Sequence, residues 1–205
     1  MEVAIIDCGI GNIKSVQRMF EAINVKADIC SSPEMTIGCK KLVIPGVGAY
    51  DAGMSAIAQN GWLDILNEHA LERRIPVLGI CLGMQLLCRK SEEGSMLGLG
   101  WIPADIVSFN NIDFQIKVPH MGWTNVTPTQ ENPLIPLNTQ YQRFYHVHKY
   151  HAVCDDEANI IGKAIHGYSF ASMIRKENIF GVQFHPEKSH TFGKLLLQRF
   201  YGINR

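Results

Sequence analysis

The chain has 205 residues, 46% apolar and 19% charged, enough apolar content to bury the core of one domain. Nineteen basic side chains balance nineteen acidic ones, and without a basic excess a non-specific nucleic-acid or anionic-membrane binder is excluded. No apolar run approaches the ~20 residues needed to span a membrane.

In chain order, "EVAII" (2–6) reads as a short apolar strand and "DCGIGN" (7–12) as a turn with two glycines. From Asn12, a candidate N-cap, apolar residues recur at helical steps: Ile13, Val16, Phe20 and Ile23. "VKADIC" (25–30) is a second strand, and "KKLVIPGVGAY" (40–50) a third that is expected to break at Pro45. A helix is expected over 52–71, a fourth strand over 75–81 ("IPVLGIC") and a helix over 82–91. Continuously apolar strands alternating with helices imply a parallel sheet covered on both faces. After Gly94 the pattern turns β-rich, at 101–109, 113–126, 143–153, 160–167, 170–176 and 179–184, with a hairpin around Glu177-Asn178. A helix over 192–202 closes the chain. The expected fold is a single α/β domain over 1–205: an open, mostly parallel sheet flanked by helices, with antiparallel strands added late. Six cysteines (8, 30, 39, 81, 88, 154) lie scattered without a CxxC pair, and "MEVAIIDCGIG" lacks the features of a secretory segment. The expectation is a reduced, cytoplasmic protein with free thiols.

In "PVLGICLGMQLL" (76–87), Cys81 stands where strand gives way to helix, between Gly79 and Gly83. Functional sites in parallel α/β sheets form at the carboxyl ends of strands. G-x-C-x-G there matches the nucleophile elbow, whose sharp turn lifts the reactive side chain clear of the sheet. The following helix N-terminus favours a thiolate and aims the Leu82 N–H at a developing oxyanion. The competing reading is a buried core cysteine. A thiol nucleophile needs an oriented base. "GVQFHPEKS" (181–189) offers His185 at a strand end with Glu187 two residues on, where extended backbone would project both to one side. Glu187 could then hold the imidazole tautomer. The competing reading there is a solvated turn. "PGVGAY" (45–50) ends another strand, and Val47 and Gly48 are candidate backbone donors for the same oxyanion, unless the segment is an ordinary turn.

"GICLGMQLL" with "GVQFHPEKS" resembles the class I (triad) glutamine amidotransferases, and the resemblance spans nearly the whole chain. "AIIDCGIGNIKSV", "LVIPGVGAYDAGM", "GLGWI" and "PHMGW" further resemble the glutaminase subunits of imidazole glycerol phosphate synthase. The resemblance implies a flavodoxin-like amidotransferase fold, no cofactor, and a catalytic set of Cys81, His185 and Glu187. It assigns Gln85, His148, Lys149 and Tyr150 to binding the substrate, glutamine. It also implies a heterodimer with a (β/α)₈-barrel cyclase subunit that receives ammonia, since the scaffold uses nearly all 205 residues. Asn12, Arg18, Met121, Trp123 and Lys188 are the docking-face candidates by resemblance only. Departures stand at Cys8 (usually Tyr), Thr124 (usually Asn), Lys149 (usually a small hydroxyl residue) and His190 (usually Gly). They keep open a related subunit that feeds ammonia to a sugar-nucleotide amidotransferase.

Other readings carry less. "DCGIGN" lacks the third glycine of a dinucleotide fingerprint, with Lys14 in its place, and no acidic residue ends the next strand. "HVHKYH" (146–151) looks metal-like, but on one strand His146 and His148 share a face while His151 points away, too few ligands for zinc; no metal is expected. A cysteine peptidase and a non-catalytic binding module remain as rival classes.

Overall fold

The computed structural model describes residues 1–109, 116–139 and 141–204. Among them, thirteen strands and five α-helices follow in order: β1 (Val3–Ile6), α1 (Ile13–Glu21), β2 (Ala27–Cys30), β3 (Lys41–Gly46), α2 (Tyr50–Gln59), α3 (Trp62–Asn67), β4 (Val77–Cys81), α4 (Leu82–Leu86), β5 (Lys90–Ser91), β6 (Ala104–Ser108), β7 (His120–Asn125), β8 (Thr127–Pro128), β9 (Arg143–His148), β10 (Tyr150–Cys154), β11 (Ile160–His166), β12 (Tyr168–Lys176), β13 (Ile179–Val182) and α5 (His190–Tyr201). The main sheet runs β2-β1-β3-β4-β13-β12-β10-β6-β5. Its first five strands are parallel, in the flavodoxin-like order. From β12 to β6 antiparallel pairs extend it, β5 joins β6 in parallel, and β11 pairs with β12 and carries β8 on its other edge. β7 and β9 form a separate antiparallel pair.

Every residue of β1, β3, β4 and β13 is buried, as expected for strands covered on both faces. Alternate residues feed two cores. Ala4, Ile6, Leu42, Ile44 and Val77 pack with Met54, Ile57, Trp62 and Leu66 of α2 and α3. Val3, Ile5, Val43, Leu78 and Ile80 pack with Val16 and Phe20 of α1 and Leu196, Leu197 and Phe200 of α5. No helix among the described residues is long and apolar enough to cross a membrane.

Several local expectations are corrected. Asn12 makes no side-chain cap; its carbonyl accepts from the Ser15 and Val16 N–H groups instead. β3 does not break at Pro45 but continues through Gly46, because β1 pairs only as far as Val43 and the missing N–H removes no bond to it. The helix expected over 52–71 is divided at Gly61, which sits at φ +70, and ends in a π-helical turn, Glu68–Glu72. The helix expected over 82–91 stops at Leu86. Lys90–Ser91 instead pair with β6, and Arg89 is drawn to Asp105 at 2.9 Å and Asp155 at 2.5 Å. The strand expected over 143–153 is two strands in two sheets, parted at Lys149. Of the strand expected over 113–126, residues 113–115 lie outside the described residues, residues 116–119 are not strand, and β7 forms only His120–Asn125. The hairpin at Glu177-Asn178 is present, with Lys176 opposite Ile179 and Glu177 at φ +53.

Candidate active site

Cys81 ends β4 at φ +53, ψ −110, a strained backbone for a residue with a Cβ, and its side chain is almost wholly buried. The flanking glycines serve close packing. A Cβ on Gly79 would come within 2.7 Å of the Gly83 oxygen, and one on Gly46 within 2.8 Å of the Gly83 nitrogen. A Cβ on Gly83 would run into the Ile44 carbonyl. The three glycines therefore let α4 lie directly on β3 and β4, which fixes where the Cys81 turn points. α4 is only five residues long, so it carries less of an aligned dipole than the expected ten-residue helix.

His185 lies just beyond β13 in extended backbone, its N–H donating to the Tyr145 carbonyl at 2.9 Å. Pro186–Lys188 form a 3₁₀ turn, so this turn, and not strand alternation, brings Glu187 back to the ring. His185 Nδ1 meets Glu187 Oε1 at 2.7 Å, and both side chains are 2% exposed. Ser189 Oγ braces the segment, donating to the His185 carbonyl at 2.6 Å and accepting from the Tyr145 N–H at 3.0 Å. His185 Nε2 and Glu187 Oε2 are buried without a hydrogen bond of regular geometry. Desolvation acts against the charged ring, but hydrogen bonding and charge from Cys81 and Glu187 prevail and raise its pKa to about 10.

Cys81 and His185 open onto one cavity of about 330 Å³. Val47, Gly48, Leu82, Gln85, His148, Lys149 and Tyr150 all line it, as does Lys188. Gly48 adopts φ +114, which a side chain would strain. Glu93, Pro119 and Val147 also line the cavity and were not foreseen. Glu93 Oε2 accepts the Tyr50 N–H at 3.1 Å, tying the cavity rim to the start of α2. Gln183 was missed too, although it lies inside the "GVQFH" stretch. It is wholly buried, with Nε2 3.8 Å from the Cys81 sulfur and Oε1 3.2 Å from Gln85 Nε2. Strand alternation with His185 was the available signal.

His148 is anchored behind the cavity. Its Nδ1 donates to the Tyr150 carbonyl at 2.7 Å, and its Nε2 accepts from His120 Nδ1 at 3.0 Å. The Thr124 hydroxyl then donates to His120 Nε2 at 2.8 Å. Desolvation lowers His120 to about 4 and His146 to about 3, and pushes His148 well below the usual imidazole range. These are neutral rings packed face to face and edge to face. Among the described residues, no cluster of His, Cys, Asp or Glu side chains is arranged to hold a metal.

The expected docking residues sit on three elements. Met121 and Trp123 are exposed on β7, and His190 stacks on Trp123 at 5.5 Å, while the Lys188 ammonium lies over the Tyr145 ring. Asn12 is exposed at the start of α1, and Arg18, also exposed, lies about 9 Å further along that helix.

The family model for glutamine amidotransferase class-I matches residues 4–202. The chain belongs to the class I glutamine amidotransferase family. Within the family it is 44% identical to imidazole glycerol phosphate synthase subunit HisH 2 of Pseudomonas aeruginosa, across 98% of this chain and 99% of that one. It is also 44% identical to the subunit of the same name from Methanococcus maripaludis, across 97% and 98%. The HisH subunit of Leptospira borgpetersenii is 38% identical, across 98% and 100%. Solved structures agree on the amidotransferase fold. A glutamine amidotransferase crystal structure superposes with TM-score 0.75 at 16% identity, covering 99% of this chain and 100% of that one. The PurLQS structure from Thermotoga maritima gives 0.77 at 15% identity, covering 98% and 97%.

Proposed function

We infer that this chain is a glutaminase subunit that hydrolyses L-glutamine and passes ammonia to a synthase partner. The observation that carries the reading is the Cys81 elbow opening onto the same cavity as His185, whose Nδ1 is held by Glu187 at 2.7 Å. An imidazolium beside a sulfur is the arrangement in which sulfur attacks as thiolate. Cys81 adds to the side-chain amide carbon of glutamine, and the N–H groups of Leu82 and of Val47 or Gly48 stabilise the oxyanion. His185 gives its proton to the departing nitrogen, releasing ammonia and leaving a thioester. It then takes a proton from water as water attacks that thioester, and glutamate leaves with the sulfur restored. Gln85, His148, Lys149 and Tyr150 form the wall that holds the substrate. Glu187 keeps the imidazole oriented through both steps.

Ammonia released into neutral water becomes ammonium, a poor nucleophile, so the product is useful only to a partner docked over the cavity. The names of the relatives, subunits of imidazole glycerol phosphate synthase, support a synthase partner of that kind. By the family resemblance this partner is a (β/α)₈-barrel cyclase, and the pair forms imidazole glycerol phosphate and an aminoimidazole carboxamide ribotide in histidine biosynthesis. A cytoplasmic location accords with that role. The residues that depart from the family pattern keep a second reading open. Thr124 holds His120, Lys149 lines the cavity and His190 stacks on Trp123, all on or near the docking side. A partner that amidates a sugar nucleotide would fit such changes. The test is glutaminase assay of the wild type and Cys81→Ala, alone and with the partner co-purified from the source cell. Glutamate release that vanishes in Cys81→Ala is expected; retained activity refutes the assignment. A barrel cyclase partner supports the first reading and a sugar amidotransferase the second.

A further inference from the structure

A buried sulfur anion needs more than one stabilising neighbour. We propose that Gln183 is a further catalytic residue, whose side-chain amide donates a hydrogen bond to the Cys81 sulfur while Gln85 fixes the orientation of that amide. The proposal rests on the reading of Cys81 as nucleophile.

Gln183 directly follows β13 and is wholly buried in an otherwise apolar run, Ile179–Val182. A leucine or methionine would satisfy packing there, and an amide is costly unless both of its ends are used. Both ends are used. The oxygen accepts from Gln85 Nε2 at 3.2 Å, which leaves the amide nitrogen facing Sγ at 3.8 Å, within reach for a sulfur acceptor. The backbone dictates the direction. Gln183 donates its N–H to the Ser172 carbonyl at 2.9 Å and His185 donates its own to Tyr145 at 2.9 Å. Between them Phe184 turns away to stack on Phe144 at 3.9 Å. Residues 183 and 185 therefore project to the same side, and the sulfur receives an imidazole and an amide together. Because Gln85 also lines the cavity, a substrate held there bears on the group that orients the sulfur's donor.

The test is the pH dependence of Cys81 alkylation by iodoacetamide, read by mass spectrometry of the Cys81 peptide in the full chain. Gln183→Met keeps length and removes the donor; Gln183→Glu keeps the acceptor for Gln85 and sets a carboxylate against the sulfur. The alkylation midpoint should move up by about one pH unit in Gln183→Met and further in Gln183→Glu, with a ~10-fold slower reaction at neutral pH. A role confined to packing would change thermal stability and leave the midpoint in place. Folded variants with the wild-type midpoint overturn the proposal. If neither variant folds, the Gln183 side-chain amide signal of the wild-type protein decides by NMR: it should titrate together with Cys81 alkylation, and an amide that does not respond overturns the proposal. Alkylation needs no glutamine turnover. Absence of glutaminase activity in the wild type with its partner would therefore sink the proposed function separately.

Discussion

Replacing Gly83 by alanine adds one methyl group at a place with no room for it. The new Cβ would collide with the Ile44 carbonyl of β3, a backbone atom that cannot swing aside as a side-chain tip could. Overpacking of this kind costs about 1–3 kcal/mol, and a backbone obstacle puts Gly83→Ala near the upper end. For a chain of this size ~3 kcal/mol corresponds to a drop of about 6–12 °C in Tm. The matched control is Gly38→Ala. Gly38 has φ +77 and open space around it, so only the backbone penalty of about 1–2 kcal/mol applies. Thermal unfolding of both variants, with glutaminase rates, makes the measurement. Gly83→Ala should be the less stable, and at least ~10-fold slower because the clash displaces the Cys81 turn. A Gly83→Ala chain as stable as Gly38→Ala, or fully active, would refute close packing as the reason for glycine beside Cys81.

Glu187→Gln should lower kcat by about 10²–10⁴-fold with little change in KM, as measured by steady-state glutaminase kinetics, because it loosens the imidazole without touching the substrate wall. His185 has a folded pKa near 10 against about 6.5 when unfolded. Its stabilising contribution is therefore complete below about pH 6.5 and lost as pH rises through about 10. Urea unfolding of the wild type should lose more stability from pH 7 to 10 than His185→Gln does; parallel curves would contradict the assignment. The buried rings behave in the opposite sense. His120 and His146 are held near 4 and 3, so below about pH 6.5 the unfolded chain binds protons that the folded chain refuses. Unfolding midpoints should fall from pH 6.5 toward 4, and His146→Phe should flatten that slope.

How much was legible follows from how local each feature is. "VAII", "VLGIC" and "IFGV" announce two-sided burial by being apolar throughout, and the parallel half of the sheet bears this out. The G-x-C-x-G turn and the His185–Glu187 pair could be picked out because their spacing is short. The structure still revised the route, replacing strand alternation with a 3₁₀ turn. The antiparallel half was readable as β-rich but not as arranged, since nothing near Lys149 says that residues before it pair with β7 and residues after it with β6 and β12.

The sequence by itself determined which stretches could be strand or helix, where backbone without side chains was required, and which thiol, imidazole and carboxylate stood at strand ends. Those features depend on neighbours a few residues apart, within reach of side-chain periodicity and turn chemistry. Only the tertiary structure decided that Gln183 and Gln85 meet behind Cys81, that His120, His146 and His148 pack as neutral rings, and that Glu93 closes the cavity rim. Each of these joins residues far apart in the chain, and such contacts are set by strand order and core packing, not by local pattern.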